Sequence, residues 1–310
     1  MPTETKNAKI SIGIIGRFEK IYDEEYIAEG FENLGYSVVR IEQSTDPQLI
    51  HRKILLNRPD ILLFTKYILP KEVQNAIERG REWGIRTVCW LFDLYWGYHR
   101  EHRIKENYFK ADYVFTTDGG HDREWKEAGI NHKCVRQGIR DKECYIADGV
   151  QEYAVIFVGS DNPAYPYRQK MLGEIFLQFK GFKWFGRGDT DEVRGEALNK
   201  LYAKTKIVIG DSVYSPYYWS NRVVETLGRG GFLIHPEVEG IKEEYPYLVT
   251  YQKDNIQDLK NRIMFYLNHE YERQEIIRKN FEHVKKNFTI EKKCQEIIDV
   301  LIQPAHNQKE

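Results

Sequence analysis

The residues best suited to chemistry gather in one stretch, Ser215 to Pro236, which reads SPYYWSNRVVETLGRGGFLIHP. Arg222 and Glu225 stand three apart on a short helix whose apolar face is Val223, Val224 and Leu227. A carboxylate at Glu225 can accept hydrogen bonds from a pair of sugar hydroxyls, and Arg222 can meet phosphate. Ser220 or Asn221 can cap the helix, and its first turn suits an anion. The same spacing equally describes a surface Arg–Glu pair on a packing helix. Two more arginines sit where phosphate contact is possible. Arg168 opens a helix after the loop DNPAYPY, and Arg187 stands between Gly186 and Gly188. A solvated helix-start arginine and simple turn chemistry are the competing readings. For proton transfer, Asp93 in WLFDLYWG is the first candidate base, with turn capping as its alternative. Asp118 and His121 in TTDGGHD form the second: an Asp can hold a His tautomer, but it can also cap the helix that follows.

These side chains need elements to hold them. Short apolar runs alternate with helical patterns of about ten residues, the signature of a parallel sheet covered by helices. The expected strands are 10–15, 36–41, 61–64, 87–91, 112–116 and 133–136, with helices at 24–34, 47–56, 70–82, 98–109 and 120–128. After the polar segment 137–152 the alternation restarts at Tyr153, with strands at 154–158, 182–185, 206–209 and 232–234 and a late one at 247–250. Residues 255–301 read as helix, jointed near His269 and Phe288. The expectation is therefore an α/β chain with two parallel-sheet domains facing across a cleft. Ligands of open parallel sheets bind beyond the carboxyl ends of the strands. That rule selects Gly16 and Arg17, Thr65 and Lys66, and the turns after Leu91 and Thr116. In the second half it selects Gly159 and Ser160, Gly186 and Arg187, Asp211 and Ser212, and the loop before Arg222. GIIGRFEK after the first strand is not a GxGxxG fingerprint, so a nicotinamide dinucleotide is a weak reading.

Composition bounds the partners. The 310 residues carry a net charge of -1, so no global attraction to nucleic acid or anionic membrane is expected. A local basic rim of Lys66, Arg100, His102, Arg103 and Lys105 keeps a DNA acceptor among the alternatives. Cys89, Cys134, Cys144 and Cys294 form no CxxC pair, which suits a reducing compartment; with no signal peptide or membrane span in view, a cytoplasmic location is expected. No metal-ligand spacing such as HExxH is present, and no GxxxxGK[ST] phosphate loop.

With WLFDLYWG at 90–97, ADYVFTTDGG at 111–120, VIFVGS at 155–160, KWFGRG at 183–188 and WSNRVVETLGRGGFLIHP at 219–236, the chain resembles GT-B glycosyltransferases. It is most similar to the glycosyltransferase-family-1-like group that includes the spore-maturation protein CgeB. The resemblance covers about residues 10–302. It implies two Rossmann-like domains: an acceptor-binding one over 1–145, a donor-binding one over 146–285, and a helix with a frayed tail over 286–310 that returns to the first. It implies a nucleoside-diphosphate sugar as donor substrate, no tightly bound cofactor and no metal. Glu225 takes the role of ribose ligand, and Arg168, Arg187 and the loop before Asn221 that of diphosphate ligands. Retaining relatives carry a second Glu eight positions upstream of the first; here Tyr217 occupies that position, which suits an inverting transfer with Asp93 as base and His121 as runner-up. The acceptor stays open among a small molecule, a glycan, a protein and a modified base in DNA. Alternatives are a nucleotide-sugar epimerase and a non-catalytic protein that binds nucleotide sugar or nucleic acid.

Overall fold

The computed structural model describes residues 10–19, 22–43, 46–65, 71–160, 166–186 and 193–302. The chain forms two units, Met1–Arg136 with Ile290–Glu310, and Gln137–Thr289.

The first unit runs β1 (Ser11–Gly16), α1 (Asp23–Asn33), β2 (Ser37–Glu42), α2 (Pro47–Asn57), β3 (Ile61–Phe64), α3 (Lys71–Glu82), β4 (Arg86–Leu91), β5 (Tyr113–Thr116), α4 (Asp122–Glu127) and β6 (His132–Cys134). Its six strands are parallel in the order β2-β1-β3-β4-β5-β6. β3 and β4 are buried on both faces, which is why ILLF and VCWL are continuous apolar runs rather than alternating ones.

The second unit runs β7 (Tyr153–Val158), α5 (Pro166–Gln178), β8 (Lys183–Phe185), α6 (Gly195–Ala203), β9 (Thr205–Ile209), α7 (Arg222–Gly228), β10 (Leu233–Pro236), α8 (Ile241–Glu244), β11 (Val249–Tyr251), α9 (Ile256–Asn268) and α10 (Glu270–Asn287). Its five strands are parallel in the order β11-β10-β9-β7-β8. The last helix, α11 (Ile290–Ile302), belongs to the first unit. It lays Ile290, Cys294, Ile297, Ile298 and Leu301 into the core that also holds Ile27, Ala28 and Phe31 of α1. Gly30 lets the two helices close up: a Cβ there would sit 3.1 Å from the Cys294 sulfur.

Three details depart from the sequence reading. The helix expected over 98–109 is instead a pair of 3-10 turns, Glu101–Lys105 and Asn107–Lys110. The segment HREHRIKENY lacks an apolar stripe at helical spacing, and His99 has φ +59, outside the helical region. Residues 137–152, expected to hold the break between domains at 145/146, pack within the second unit. Asn199 of α6 donates to the carbonyls of Glu143 and Tyr145 at 2.9 and 2.8 Å, and Ile139 and Cys144 join that unit's core. The sequence expectation put the return to the first domain at 285/286, whereas the units divide at Thr289 and Ile290. Among the described residues, no helix is long and apolar enough to cross a membrane.

Candidate functional site

In the second unit the site is built around α7. Val223, Val224 and Leu227 face the core with Val208, Leu233, Val284 and Phe288, so the helix is pinned against the sheet and α10. That leaves Arg222 and Glu225 on the other side. They do not pair with each other. Arg222 reaches the end of β7, donating from Nε to the Val158 carbonyl at 2.9 Å. Its Nη1 donates to the Asp211 carbonyl at 3.0 Å and to Asp211 Oδ1 at 2.6 Å. Arg168 of α5 approaches the same carboxylate, Nε to Oδ2 at 2.5 Å, and donates from Nη1 to the Ser160 carbonyl at 2.7 Å. Both guanidinium groups lie over the Phe157 ring, at 5.4 Å for Arg168 and 4.7 Å for Arg222. Burial by itself would raise the Asp211 carboxyl, but Arg222 and Arg168 outweigh it and hold it below the ordinary carboxylate range. Two arginines thus meet one aspartate in this buried cluster beside Gly159 and Ser160. A Cβ at Gly159 would stand 2.6 Å from Arg222 Nη2, so a side chain there would push that guanidinium aside.

Glu225 turns the other way, to Arg229 one helical turn on. Its Oε2 accepts from Arg229 Nε at 3.1 Å and Nη2 at 2.6 Å. Arg229 also donates to the Glu143 carboxylate and to Asn199 Oδ1. The surface Arg222–Glu225 pair weighed from the sequence is therefore absent, because each partner finds a stronger one in the fold. Asn221 occupies the N-cap position of α7 without a side-chain capping bond; its Nδ2 donates to Gln137 Oε1 at 3.3 Å. Ser220 Oγ is buried with no hydrogen-bond partner among the described residues. Arg187, Lys66 and the loop 161–165 lie outside the described residues.

In the first unit, Asp118 and His121 follow β5. Asp118 is fully buried, and its Oδ1 accepts from His121 Nδ1 at 2.7 Å and from the Gly120 N–H at 3.2 Å. Helix capping by Asp118 is thus not its role: His121 is the N-cap of α4, with no side-chain capping bond. Burial pushes the Asp118 carboxyl up, and the His121 hydrogen bond offsets part of that. With Nδ1 carrying the proton toward a carboxylate, His121 Nε2 is the acceptor nitrogen. It faces Gly97, where a Cβ would lie 3.6 Å away. Asp93 differs. Its side chain is 49% exposed and ion-paired with Arg100 at 2.8 Å, so it is neither shielded from water nor unengaged. Gly16 and Arg17 are remote from ligand-type geometry as well. Gly16 makes room for the buried Glu24 side chain, whose Cγ would be 2.2 Å from an added Cβ, and Arg17 donates to the Tyr22 hydroxyl at 3.3 Å.

Sequence reasoning missed Glu143, Asn199 and Arg229, and it singled out Asp211 only as a strand-end residue. The i, i+4 spacing of Glu225 and Arg229 was a usable signal; nothing local marks Glu143 or Asn199, 86 and 30 positions from their arginine. Among the described residues, no group of three or more His, Cys, Asp or Glu is placed to hold a metal ion.

Residues 158–299 match a family model described as glycosyl transferase-like. Among solved structures, the chain is similar to sucrose-phosphate synthase from Thermosynechococcus elongatus, with TM-score 0.66 and 10% identity over 95% of this chain and 99% of that one. It is similar to Anabaena HepE in complex with UDP-glucose, with TM-score 0.63 and 13% identity over 94% and 99%. The third is an alpha,alpha-trehalose-phosphate synthase (UDP-forming) from Burkholderia vietnamiensis, with TM-score 0.60 and 9% identity over 94% and 99%. No match was found among curated proteins. The two parallel-sheet units are thus of GT-B type, and the resemblance to glycosyltransferases, the enzyme class it names included, is borne out by the fold and by the family segment.

Proposed function

We propose that the chain transfers a sugar from a nucleoside-diphosphate sugar to an acceptor hydroxyl, with the donor held by the second unit. The observation that carries this reading is the arrangement around α7: two buried arginines, Arg168 and Arg222, meeting on Asp211 beside Gly159, and a carboxylate held in place by Arg229, Glu225, a turn into the helix. All six residues fall inside the family segment 158–299. The two guanidinium groups supply positive charge for the diphosphate and for the charge that grows on it as it leaves. Glu225, an acceptor, suits the donor ribose. HepE in complex with UDP-glucose and the UDP-forming trehalose-phosphate synthase make uridine diphosphate sugars the first donors to test.

In this reading the arginines offset the diphosphate charge without a bound metal. Transfer is a single displacement with inversion, consistent with Tyr217 at the position where retaining relatives carry a Glu. The first unit offers the proton acceptor. The Asp118–His121 dyad is better built for that task than Asp93, which already holds Arg100. The acceptor class spans small molecules, glycans, proteins and modified DNA bases.

Calorimetric titration with a panel of UDP-, GDP- and ADP-sugars tests the donor. At least one is expected to bind, and Glu225→Ala is expected to cost about 1–3 kcal/mol of its affinity. Failure of every nucleotide sugar to bind would sink the reading. Unchanged affinity in Glu225→Ala would remove only the ribose assignment.

A further inference from the structure

We propose that Arg229 is a positioning residue that sets the carboxylate of Glu225 for the two hydroxyls of a ribose, and through it sets a preference for ribonucleotides over deoxyribonucleotides. The proposal rests on the donor reading above and extends it to a residue that does not itself touch the donor.

The geometry has a direction. Arg229 is 3% exposed, and its planar guanidinium is held from behind by groups distant in sequence. Nη1 donates to Asn199 Oδ1 at 2.7 Å and to the Glu143 carbonyl at 3.3 Å, and Nη2 donates to the Glu143 carboxylate. Asn199 is fully buried and is itself anchored, its Nδ2 donating to the carbonyls of Glu143 and Tyr145. Glu143 has a second cation beside it, Arg140 at 3.4 Å. With its back thus secured, the guanidinium presents Nε and Nη2 to Glu225 Oε2 at 3.1 and 2.6 Å. Glu225, 22% exposed, is the most accessible of the four side chains Glu143, Asn199, Arg229 and Glu225. Orientation is therefore passed outward, from a buried frame to the one carboxylate that reaches the surface.

Two consequences follow from the chemistry of the groups. A guanidinium aligned on Glu225 forms charge-assisted hydrogen bonds with it, and a carboxylate is an acceptor only, which is what a pair of hydroxyl donors requires. The arginine engages a single oxygen, Oε2, through both Nε and Nη2. An unheld glutamate on a helix surface would have to give up rotamer freedom on each binding event; a clamped one does not. An ordinary exposed i, i+4 pair would give little of this, because it is solvated and mobile. Burial of Arg229 and its three further bonds to Asn199 and Glu143 make the difference.

The test compares ribose with deoxyribose. The best-binding nucleoside diphosphate among UDP, GDP, ADP and CDP, and its 2′-deoxy counterpart, are titrated into wild type, Arg229→Gln and Glu143→Gln, with thermal melting as a check on folding. Wild type is expected to favour the ribonucleotide about tenfold. Arg229→Gln is expected to lose that factor on the ribonucleotide alone, so that the two ligands bind alike. Glu143→Gln, which leaves the guanidinium in place but loosens its anchor, is expected to show the same collapse in smaller measure, and it stands in if Arg229→Gln does not fold. Preserved discrimination in the folded variants, or an equal loss on both ligands, would overturn the positioning role and leave Arg229 a purely structural residue. Equal binding of the two ligands by wild type would instead remove the ribose assignment of Glu225, and binding of no nucleoside diphosphate would remove the donor reading; either would take this proposal with it.

Discussion

At the scale of single residues, the contrast between Asp93 and His121 shows how surroundings decide chemistry. Asp93 is a carboxylate at a strand end, yet it is half exposed and tied to Arg100. To accept a proton it would first have to leave a favourable ion pair. His121 is held by a fully buried carboxylate through Nδ1, which assigns the basic lone pair to Nε2. An imidazole held in one tautomer presents a fixed lone pair to a hydroxyl proton. Once a donor and acceptor are in hand, His121→Ala is expected to lower kcat by about a hundredfold or more, and Asp118→Asn to lower it in the same direction. Asp93→Asn is expected to leave kcat close to wild type. Steady-state rates at saturating donor check this, and a large loss confined to Asp93→Asn would return the base to that residue. Chromatographic or NMR assignment of the product anomer accompanies the rates: a retained configuration would exclude a single displacement.

At the scale of elements, α7 is where packing and chemistry meet. Its apolar side is buried so tightly that a side chain on its last residue, Gly228, would have to displace its neighbours. A Cβ on Gly228 would lie 2.8 Å from Ile139 Cδ1 and 3.0 Å from Val284 Cγ1. Those neighbours come from the start of the second unit and from α10, so they are fixed by the core rather than free to give. Gly228→Ala is expected to cost about 1–3 kcal/mol by overpacking, read from urea unfolding midpoints. Because α7 also carries Glu225 and precedes Arg229, donor affinity is expected to fall with it. A variant as stable as wild type would show that Ile139 and Val284 can step aside. The sequence reading anticipated this helix at Arg222–Leu227, and the structure has it at Arg222–Gly228. The pattern was legible because the apolar residues fall at helical spacing and Gly230 and Gly231 end the run. The partners of its polar residues were not, because Asp211 and Glu143 arrive from other elements.

At the scale of the whole molecule, two histidines are buried in neutral form, one in each unit. Burial lowers His235 to about 4 and His132 to about 3, from an ordinary value of 6.5. As pH falls below 6.5 the unfolded chain takes up these protons before the folded one does. Folded stability is therefore lost progressively from about pH 6.5 down through the folded values, and the penalty is absent above that window. Asp211, held low by its arginines, adds a loss in the same direction once pH falls below its unfolded value of about 3.9. Thermal melting between pH 7 and pH 4.5 is expected to show a falling midpoint, with a shallower fall in His235→Gln. An equally steep slope in that variant would mean that another group carries the acid sensitivity. His235 Nδ1 lies 2.8 Å from the Pro236 carbonyl, and the ring packs against Gly210, where a Cβ would be 2.6 Å from its Cδ2. The substitution tests packing and charge together, so the slope with pH is the quantity to compare rather than the midpoint at one pH.

The amino-acid sequence by itself determined the layered α/β class, most strand and helix positions and the location of the donor-side stretch. Those features rest on local signals: apolar runs of strand length, helical spacing, and glycines that end a helix. It also carried the family resemblance, since WSNRVVETLGRGGFLIHP is a continuous motif. Tertiary structure alone decided which charges meet. Arg168 near the start of α5 and Arg222 at the start of α7 converge on Asp211, which follows β9, the strand beside β7 in the sheet. Arg229 finds Glu143 because residues 137–152 fold back onto α6 and α7 instead of standing apart as a linker. The physical reason is range. Backbone propensity and apolar periodicity act over a few residues and can be read along the chain. A buried ion pair needs groups tens of positions apart to be desolvated together, and only the packed fold specifies that.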